Sequence, residues 1–384
     1  MNLLDRYIFK SILVTCLGAV ALFAFVLTVG NVMKEFIGYL LADQIDLLLF
    51  LRLTGKIVLF TVSFALPMGV LTGVLLTLGR LSADSEITAM RASGISLLRI
   101  ARPVILLGLL LSALTLYMNE EISPMAKASS RRELAEAVRS NPLSLLVPRT
   151  FIRQFPGFVV YVGEKKGREI SDLWLWQLDK EQRVIHMIRA RTGLIDYNEE
   201  QNALMLTLRD AVVEERNEKA PESSAEPQWV GSVGSTDQIK LSLARLFEKN
   251  SGTRTKLDFL PHSELVAMRD TLERPVAGEN EEGRQQRERT WTKVQIVLSE
   301  RINNALAVFS FALIAVPLGI KVSRRETSAN LGIAVALALS YFFCSTLIGW
   351  LEKHPASMPW LLLYLPNVAM ILLAGWLYAR VEKR

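Results

Sequence analysis

The chain has 384 residues, 51% of them apolar and 21% charged, with a formal net charge of +6 and a mean hydropathy of +0.28. The apolar residues collect in six runs without Asp, Glu, Lys or Arg, which excludes a soluble globular enzyme, a secreted disulfide scaffold and a disordered chain. Cys16 and Cys344 both lie inside these runs, where a small apolar filler is the favoured role over a metal ligand or a disulfide.

The six charge-free runs have the length of membrane-spanning helices, which need about 20 apolar residues to cross a bilayer. The predicted spans are 11–33, 57–79, 103–119, 302–320, 327–351 and 355–379. A polar stretch that carries most of the charge separates the third span from the fourth. The sequence therefore predicts a membrane α-helical protein with an N-terminal membrane half (1–120), an extramembrane domain (121–283) and a C-terminal membrane half (284–384).

Lysines and arginines of the short loops predict the orientation. Those on the side of the termini are Arg6, Lys10, Arg80, Arg91, Arg99, Arg102, Lys321, Arg324, Arg325, Arg380, Lys383 and Arg384. The opposite short loops hold Lys34, Arg52, Lys56 and Lys353. Because cytoplasmic loops carry the excess of positive charge, we expect both termini in the cytoplasm and the large domain outside. The basic flanks of the large domain count less, since long loops cross membranes largely regardless of charge.

Two features concern the ends and the interior of the spans. Residues 1–10 are amphipathic, which predicts a segment that lies in the cytoplasmic interface before turning into the first span. Pro67, Pro317 and Pro366 lie within spans two, four and six, where prolines are expected to kink or pack a helix rather than end it.

The loop between spans two and three predicts a short helix at 82–94. Ser82 or Asp84 can cap its N-terminus, and Gly94 can end it. Its apolar face is formed by Ile87 and Met90, and its charges are carried by Glu86 and Arg91. Such a helix is either a connector resting on the membrane surface or the element that a transporter inserts into a groove of its ATPase.

The polar stretch contains predicted strands followed by predicted helices. β-Branched and aromatic segments predict strands at 158–163, 170–178, 183–197 and 203–214, with one or two more in 228–243. Serial short strands without intervening helices are typical of an antiparallel sandwich or jelly roll. The charged segment 215–227 is a predicted solvated insert. Helices are predicted at 263–274 and at 284–300, the second running into span four.

The strand 170–178 is apolar on both faces, because Leu173 and Leu175 alternate with Trp174 and Trp176. This pattern favours a central strand that is covered on both sides. The alternative is a sandwich whose interior forms an apolar trough for an acyl chain.

The sequence shows no element of catalysis or energy supply. It has no phosphate-binding loop of the G-x-x-x-x-G-K-S/T type, so we expect no ATPase in this chain. His186, His262 and His354 lack metal-ligand spacing, and no catalytic or metal site is predicted. No charged side chain lies within the spans, where ion-driven transporters place such groups. If the protein moves a substrate, a partner must supply the energy.

Sequence motifs carry a resemblance to a known family. They are Leu4-Asp5-Arg6-Tyr7, Leu66-Pro67, Gly79-Arg80-Leu81, the run Ser85–Gly94, Asn141-Pro142, Glu300-Arg301, the run Val316–Ile320 and Leu365-Pro366-Asn367. Together they resemble the lipopolysaccharide-export permeases (LptF/LptG, also YjgP/YjgQ) over nearly the whole chain. Within this family the run Ser85–Thr88 favours the LptF branch.

The resemblance implies one permease of an ABC exporter in the bacterial inner membrane. Two permeases pair as a hetero- or homodimer, and a cytoplasmic ATPase dimer, which binds ATP and magnesium, docks on their coupling helices. Lipopolysaccharide passes to the periplasmic β-jellyroll and then to a periplasmic bridge protein with a β-jellyroll. The family's coupling glutamate corresponds to Glu86, with Ser85, Ile87, Met90 and Arg91 as supporting contacts.

Basic residues beside the large domain suit the phosphates of such a lipid. Lys34, at the outer end of span one, is expected to meet the anionic head group together with Arg131 or Arg132. The alternative for each of them is a solvated charge near lipid head groups.

Two other functions compete with the exporter. A membrane-anchored ligand-binding sensor or scaffold needs no ATPase-docking helix, and the sequence shows no kinase, cyclase or nucleic-acid-binding part for a sensor to address. A lipid-modifying enzyme needs catalytic carboxylates or histidines near the interface, where Glu35, Asp43 and Asp46 resemble ordinary loop charges. The exporter is therefore the favoured function.

Overall fold

The computed structural model describes residues 3–41, 45–140, 146–153, 155, 157–179, 181, 183–198, 203–215, 229–235, 239–242, 257–274, 280–321, 327–353 and 357–382. Its helices are α1 (Leu3–Glu35), α2 (Ile37–Leu41), α3 (Leu47–Ala83), α4 (Glu86–Ala92), α5 (Leu97–Tyr117), a π-helical turn (Met118–Ile122), α6 (Ser123–Ser140), α7 (His262–Glu273), α8 (Glu281–Lys321), α9 (Thr327–Gly349), a 3-10 turn (Trp350–Lys353), α10 (Pro359–Leu362) and α11 (Leu365–Glu382).

The chain divides into two compact units. Residues 1–35, 51–130 and 253–384 form the first, called the membrane unit here, and residues 36–50 and 131–252 form the second, called the β unit.

The membrane unit contains the predicted spans. Among the described residues, six helical stretches are long and apolar enough to cross a membrane, and they coincide with the six charge-free runs. Several helices extend well beyond those runs, because helix formation does not stop where the hydrocarbon ends. The charged helix predicted at 284–300 is confirmed, since α8 runs without a break into the fourth span.

Two expectations about the helix ends need correction. Residues 3–10 form the first turns of α1 and continue into the span without the predicted turn, and Ile8 packs into the same core as the span. Their place at the membrane interface stays a prediction. Pro67 and Pro317 lie inside continuous helices, as predicted. Pro366 differs, since the helix is interrupted between α10 and α11 and this proline lies in the first turn of α11, where its missing N–H costs least.

Close contact between α1 and α3 depends on two glycines. A Cβ atom on Gly73 would lie 2.6 Å from Cα of Cys16, and one on Gly69 would lie 2.3 Å from Cγ2 of Val20. Small residues at such spacing allow membrane helices to approach closely. Cys16 is buried in this contact as a small apolar filler, whereas Cys344 is exposed on α9.

The described strands of the β unit form one antiparallel sheet. They are β1 (Phe151–Ile152), β2 (Phe158–Lys166), β3 (Glu169–Leu178), β4 (Val184–Asn198), β5 (Ala203–Glu215), β6 (Trp229–Ser235) and β7 (Ile239–Ser242). Strands β1 to β6 follow one another in sequential order, and β7 pairs with the first residues of β5 beside β6. The inserted antiparallel β domain and its predicted strands are therefore confirmed. The predicted insert 215–227 and Asn141-Pro142 lie outside the described residues, apart from Glu215.

Strand β3 is central, as predicted, because it pairs with β2 on one side and β4 on the other. Leu173 and Leu175 are fully buried in the core of the unit. Trp174 and Trp176 lie on the opposite face with their ring centroids 5.9 Å apart, and the guanidinium of Arg189 lies 4.3 Å from the Trp174 ring. On this second face the two tryptophans are half-buried, so its predicted cover by a neighbour stays a prediction.

Candidate coupling helix and polar cavity

The predicted coupling helix is α4, which is shorter than expected. Helix α3 continues to Ala83, so Ser82 belongs to it and donates its hydroxyl to the carbonyl of Ile320 at 3.1 Å. Capping by Ser82 or Asp84 is wrong: the residue before α4 is Ser85, in the left-handed region with φ of 61° and without a side-chain cap. Gly94 ends the helix as predicted, at φ of +82°, a conformation that favours glycine.

The side chains of α4 divide between the bundle and the surface. Ile87 is 2% exposed and packs into the core of the membrane unit, so it anchors the helix. Glu86, Met90 and Arg91 are half-buried, whereas Ser93 at the C-cap is exposed. Glu86 and Arg91 are therefore partly accessible, while Ile87 holds the helix in place.

Two hydrogen bonds join the start of α1 to the corner of the membrane unit where α3 ends and α4 begins. The Tyr7 hydroxyl lies 3.1 Å and 3.3 Å from the two carboxylate oxygens of Glu86, and Arg80 donates to the Ser11 hydroxyl at 2.9 Å. Sequence reasoning missed these contacts, although Tyr7 lies in the N-terminal family motif. Residues 79 positions apart can be paired only by the tertiary fold.

The membrane unit also contains a cavity of about 970 Å³. It is lined by residues of α3, of the region from the π-helical turn into α6, and of α8, α9 and the turns that follow. Phe60, Phe64 and Phe342 supply apolar walls. A cavity of this size is in the range of small-molecule sites.

Besides Arg301, three basic side chains line the same cavity, Lys127, Arg289 and Lys293, and the acidic residues Asp258 and Glu300 line it as well. The ammonium of Lys127 lies 4.0 Å from the ring centroid of Phe60, a cation–π contact. Arg289 and Lys293 are one turn apart on α8 and therefore share a face. The sequence places all three in the basic flanks of the large domain but gives no sign that they surround one space.

Arg301, which lines the cavity, belongs to a buried ion pair. The Arg301 guanidinium, 8% exposed, lies 3.4 Å from the Glu120 carboxylate and donates to the carbonyl of Leu260 at 2.7 Å. His262 Nδ1 lies 2.8 Å from the same Glu120 carboxylate. The π-helical turn presents Glu120 to both partners, in keeping with the frequent use of π-bulges at functional sites. Arg301 is thus committed to the protein rather than free to bind a phosphate.

A buried polar network joins three spans beside the cavity. Asn303 on α8 donates to the hydroxyl of Tyr341 on α9 at 2.8 Å, and Asn367 on α11 donates to the Asn303 side chain at 2.7 Å. Hydrogen bonds between membrane helices satisfy polar groups that lipid cannot.

The predicted head-group residues are exposed and belong to two different units of the chain. Lys34 lies in the last turn of α1 in the membrane unit. Arg131 and Arg132 belong to the β unit, where Arg132 pairs with Glu136 at 2.9 Å. Their joint contact with a head group stays a prediction. Among the described residues, no group of three His, Cys, Asp or Glu side chains is placed to hold a metal ion.

The chain is similar to known permeases. It is 24% identical over 262 residues to the lipopolysaccharide export system permease protein LptG of Haemophilus influenzae, which covers 64% of this chain and 70% of that protein. It is 25% identical over 199 residues to the protein of the same name from Escherichia coli K12, covering 51% of this chain and 54% of that protein. The match therefore spans about half the length of the Escherichia coli relative.

The motif-based resemblance is confirmed at the level of the family. These relatives are LptG proteins, whereas the sequence motif favours the LptF branch, so the branch stays a prediction. A family model described as lipopolysaccharide export system permease LptF/LptG matches residues 6–380. Since that match covers nearly the whole chain, this protein belongs to the LptF/LptG family of lipopolysaccharide export system permeases.

Proposed function

We propose that this chain is a permease subunit of an ABC exporter that draws lipopolysaccharide from the bacterial inner membrane. It is a transport subunit rather than an enzyme, and a separate cytoplasmic ATPase dimer hydrolyses the ATP. Both termini and α4 lie in the cytoplasm, and the β unit lies in the periplasm. Family membership and the six membrane-spanning helices support this proposal.

The cavity carries the proposal for the cargo. Its aromatic walls suit acyl chains, and Lys127, Arg289 and Lys293 suit the phosphates of an anionic lipid. Lipopolysaccharide would supply phosphates to these basic side chains and acyl chains to the aromatic walls of the same cavity.

Helix α4 supports the proposal for the energy source. It presents Glu86 and Arg91 near the corner between two spans, and Ile87 ties it to the bundle core. A push on α4 by a docked ATPase therefore reaches α3 and α5 directly. Helix α9 is well suited to face lipid or a second permease, because only 17% of its apolar stretch Gly332–Gly349 is buried against other described residues.

The β unit supports the last step of the proposal. Among the described strands, the short strand β1 lies at an edge of the sheet, where a periplasmic bridge protein could add strands. Lipopolysaccharide would then pass from the cavity to the β unit and on to that bridge.

The test begins with the tagged full-length chain, purified from native membranes in a detergent that keeps complexes intact. Mass spectrometry is expected to find lipopolysaccharide, an ATPase and a second permease. Lys293→Glu is expected to lower bound lipopolysaccharide at least about tenfold, because a charged hydrogen bond contributes about 1.5–3 kcal/mol and the reversal adds repulsion.

Arg284→Glu is the matched control, since Arg284 lies on the same helix and is exposed outside the cavity lining. It is expected to change bound lipid less than twofold. Equal lipid in the two variants would contradict the cargo assignment. Recovery of the intact chain without any ATPase would contradict the exporter.

A further inference from the structure

Tyr7 places its hydroxyl directly against the carboxylate of Glu86. The hydroxyl oxygen lies 3.1 Å from Oε2 and 3.3 Å from Oε1. A phenol donates its proton to an ionised carboxylate, so the contact is a charge-assisted hydrogen bond. It joins the second turn of α1 to the first residue of α4.

The neighbouring turn of α1 makes a second contact with the same corner. Ser11 lies four residues after Tyr7 and therefore on the same helix face. Its hydroxyl accepts a hydrogen bond from Arg80 in the last turn of α3, at 2.9 Å. One face of α1 thus touches both elements that flank the turn at Asp84 and Ser85.

Within the part of the chain that the structure describes, Tyr7 is the one hydrogen-bond partner of the Glu86 side chain. Helix α4 has only seven residues, too few for independent stability, and Ser85 provides no side-chain cap. Ile87 holds the helix by packing but places no constraint on the neighbouring carboxylate. Glutamate has three rotatable side-chain bonds, whereas tyrosine loses little conformational entropy when it is fixed. The hydrogen bond therefore selects one orientation of Glu86.

We propose that Tyr7 is a positioning residue for the coupling carboxylate. It holds Glu86 in the orientation that docks the ATPase, and it makes the first turns of α1 move together with α4. A carboxylate accepts several hydrogen bonds, so Glu86 binds Tyr7 and a basic residue of the ATPase at the same time. This inference rests on the proposed docking of an ATPase at α4.

A double-mutant cycle tests the proposal in the full-length chain, reconstituted in nanodiscs with its partner permease. The recovered ATPase is titrated onto the chain, and its Kd is measured. Tyr7→Phe keeps the ring and removes the hydroxyl, and it is expected to raise the Kd about three- to tenfold. In a Glu86→Ala background the same change is expected to alter the Kd less than about 1.5-fold, because the acceptor is gone.

Ser11→Ala is the matched control. Ser11 lies on the same face of α1 but bonds to Arg80, so its effect on the Kd is expected to be the same with and without the Glu86 carboxylate. A purely structural role for Tyr7 would give this additive pattern as well. Additivity of Tyr7→Phe and Glu86→Ala would therefore overturn the proposal.

Hydrogen exchange of the chain alone gives a readout that does not depend on the ATPase. Tyr7→Phe is expected to increase exchange at 86–92 several-fold and to leave 97–117 unchanged. Unchanged exchange at 86–92 would overturn the proposal. If Glu86→Ala leaves the Kd unchanged, the docking contact is wrong and the inference falls with it. If Glu86→Ala raises the Kd and Tyr7→Phe does not, only the inference is wrong.

Discussion

Two arginine–glutamate pairs show how burial determines the contribution of an ion pair to stability. Arg301 and Glu120 are 8% and 13% exposed, and Arg301 finds a second acceptor in the carbonyl of Leu260. Arg132 and Glu136 are 82% and 60% exposed on one face of α6. Removing one partner of a buried pair leaves a desolvated charge, whereas an exposed charge returns to water.

Glu120→Ala is therefore expected to lower the free energy of unfolding by about 3–5 kcal/mol, because Arg301 would stay buried without its carboxylate. Glu136→Ala is the matched control, with an expected loss below about 0.5 kcal/mol. Thermal unfolding of both variants in detergent measures the difference. Equal shifts of the unfolding midpoint would show that the Glu120 pair contributes no more than a surface pair.

At the scale of elements, the packing of α1 on α3 depends on the absence of side chains. Gly69 and Gly73 are four residues apart, and the backbone of α1 near Cys16 and Val20 fills the space above them. Gly55 lies on the same helix, and a Cβ atom there would meet nothing within 4 Å. The sequence shows four glycines in this apolar helix but not which of them touches a neighbour.

Gly73→Ala is expected to destabilise the protein by about 1–3 kcal/mol, since its Cβ forces the backbone of α1 to move. Gly55→Ala is expected to be neutral or to stabilise by up to about 1 kcal/mol, because alanine is the better helix former. Chemical or thermal unfolding of the two variants in the same detergent compares them. A loss at Gly55→Ala as large as that at Gly73→Ala would contradict the close-contact account.

At the scale of the whole molecule, the membrane unit and the β unit each contain an exposed position at which the orientation of the protein can be tested. Ser93 follows α4 and is exposed in the membrane unit, and Glu169 begins β3 and is exposed in the β unit. The positive charge of the short loops predicts that Ser93 lies in the cytoplasm and Glu169 in the periplasm. These two positions therefore report the orientation of the protein.

Single cysteines test that orientation in a background with Cys16→Ala and Cys344→Ala. In intact spheroplasts, a membrane-impermeant maleimide is expected to label Glu169→Cys and not Ser93→Cys. After permeabilisation both are expected to react, which shows that the cysteine after α4 is accessible. Labelling of Ser93→Cys alone in intact spheroplasts would reverse the orientation and remove the support for α4 as the ATPase contact.

Most of the fold follows from patterns that are local in the sequence. A charge-free run long enough for a bilayer marks each span, and alternation of β-branched and aromatic residues marks β2 to β5. The end of α4 at Gly94 could also be predicted from the sequence, because a left-handed conformation there favours glycine. The errors lie at the ends of elements, where α3 continues through Ser82 and α1 begins before its span. Contacts with neighbouring helices stabilise these longer helices, and a local sequence pattern does not contain such contacts.

The sequence by itself determined the class of this protein, the order of its elements and its resemblance to a family. Only the tertiary structure decided which of its polar residues act together. Tyr7 and Glu86 are 79 positions apart, and Glu120 and Arg301 are 181 apart. Their pairing depends on the packing of α1, α3, α5 and α8, a cooperative result of many long-range contacts. Spacing along the chain fixes which face of an element a side chain occupies, but packing decides what that face meets.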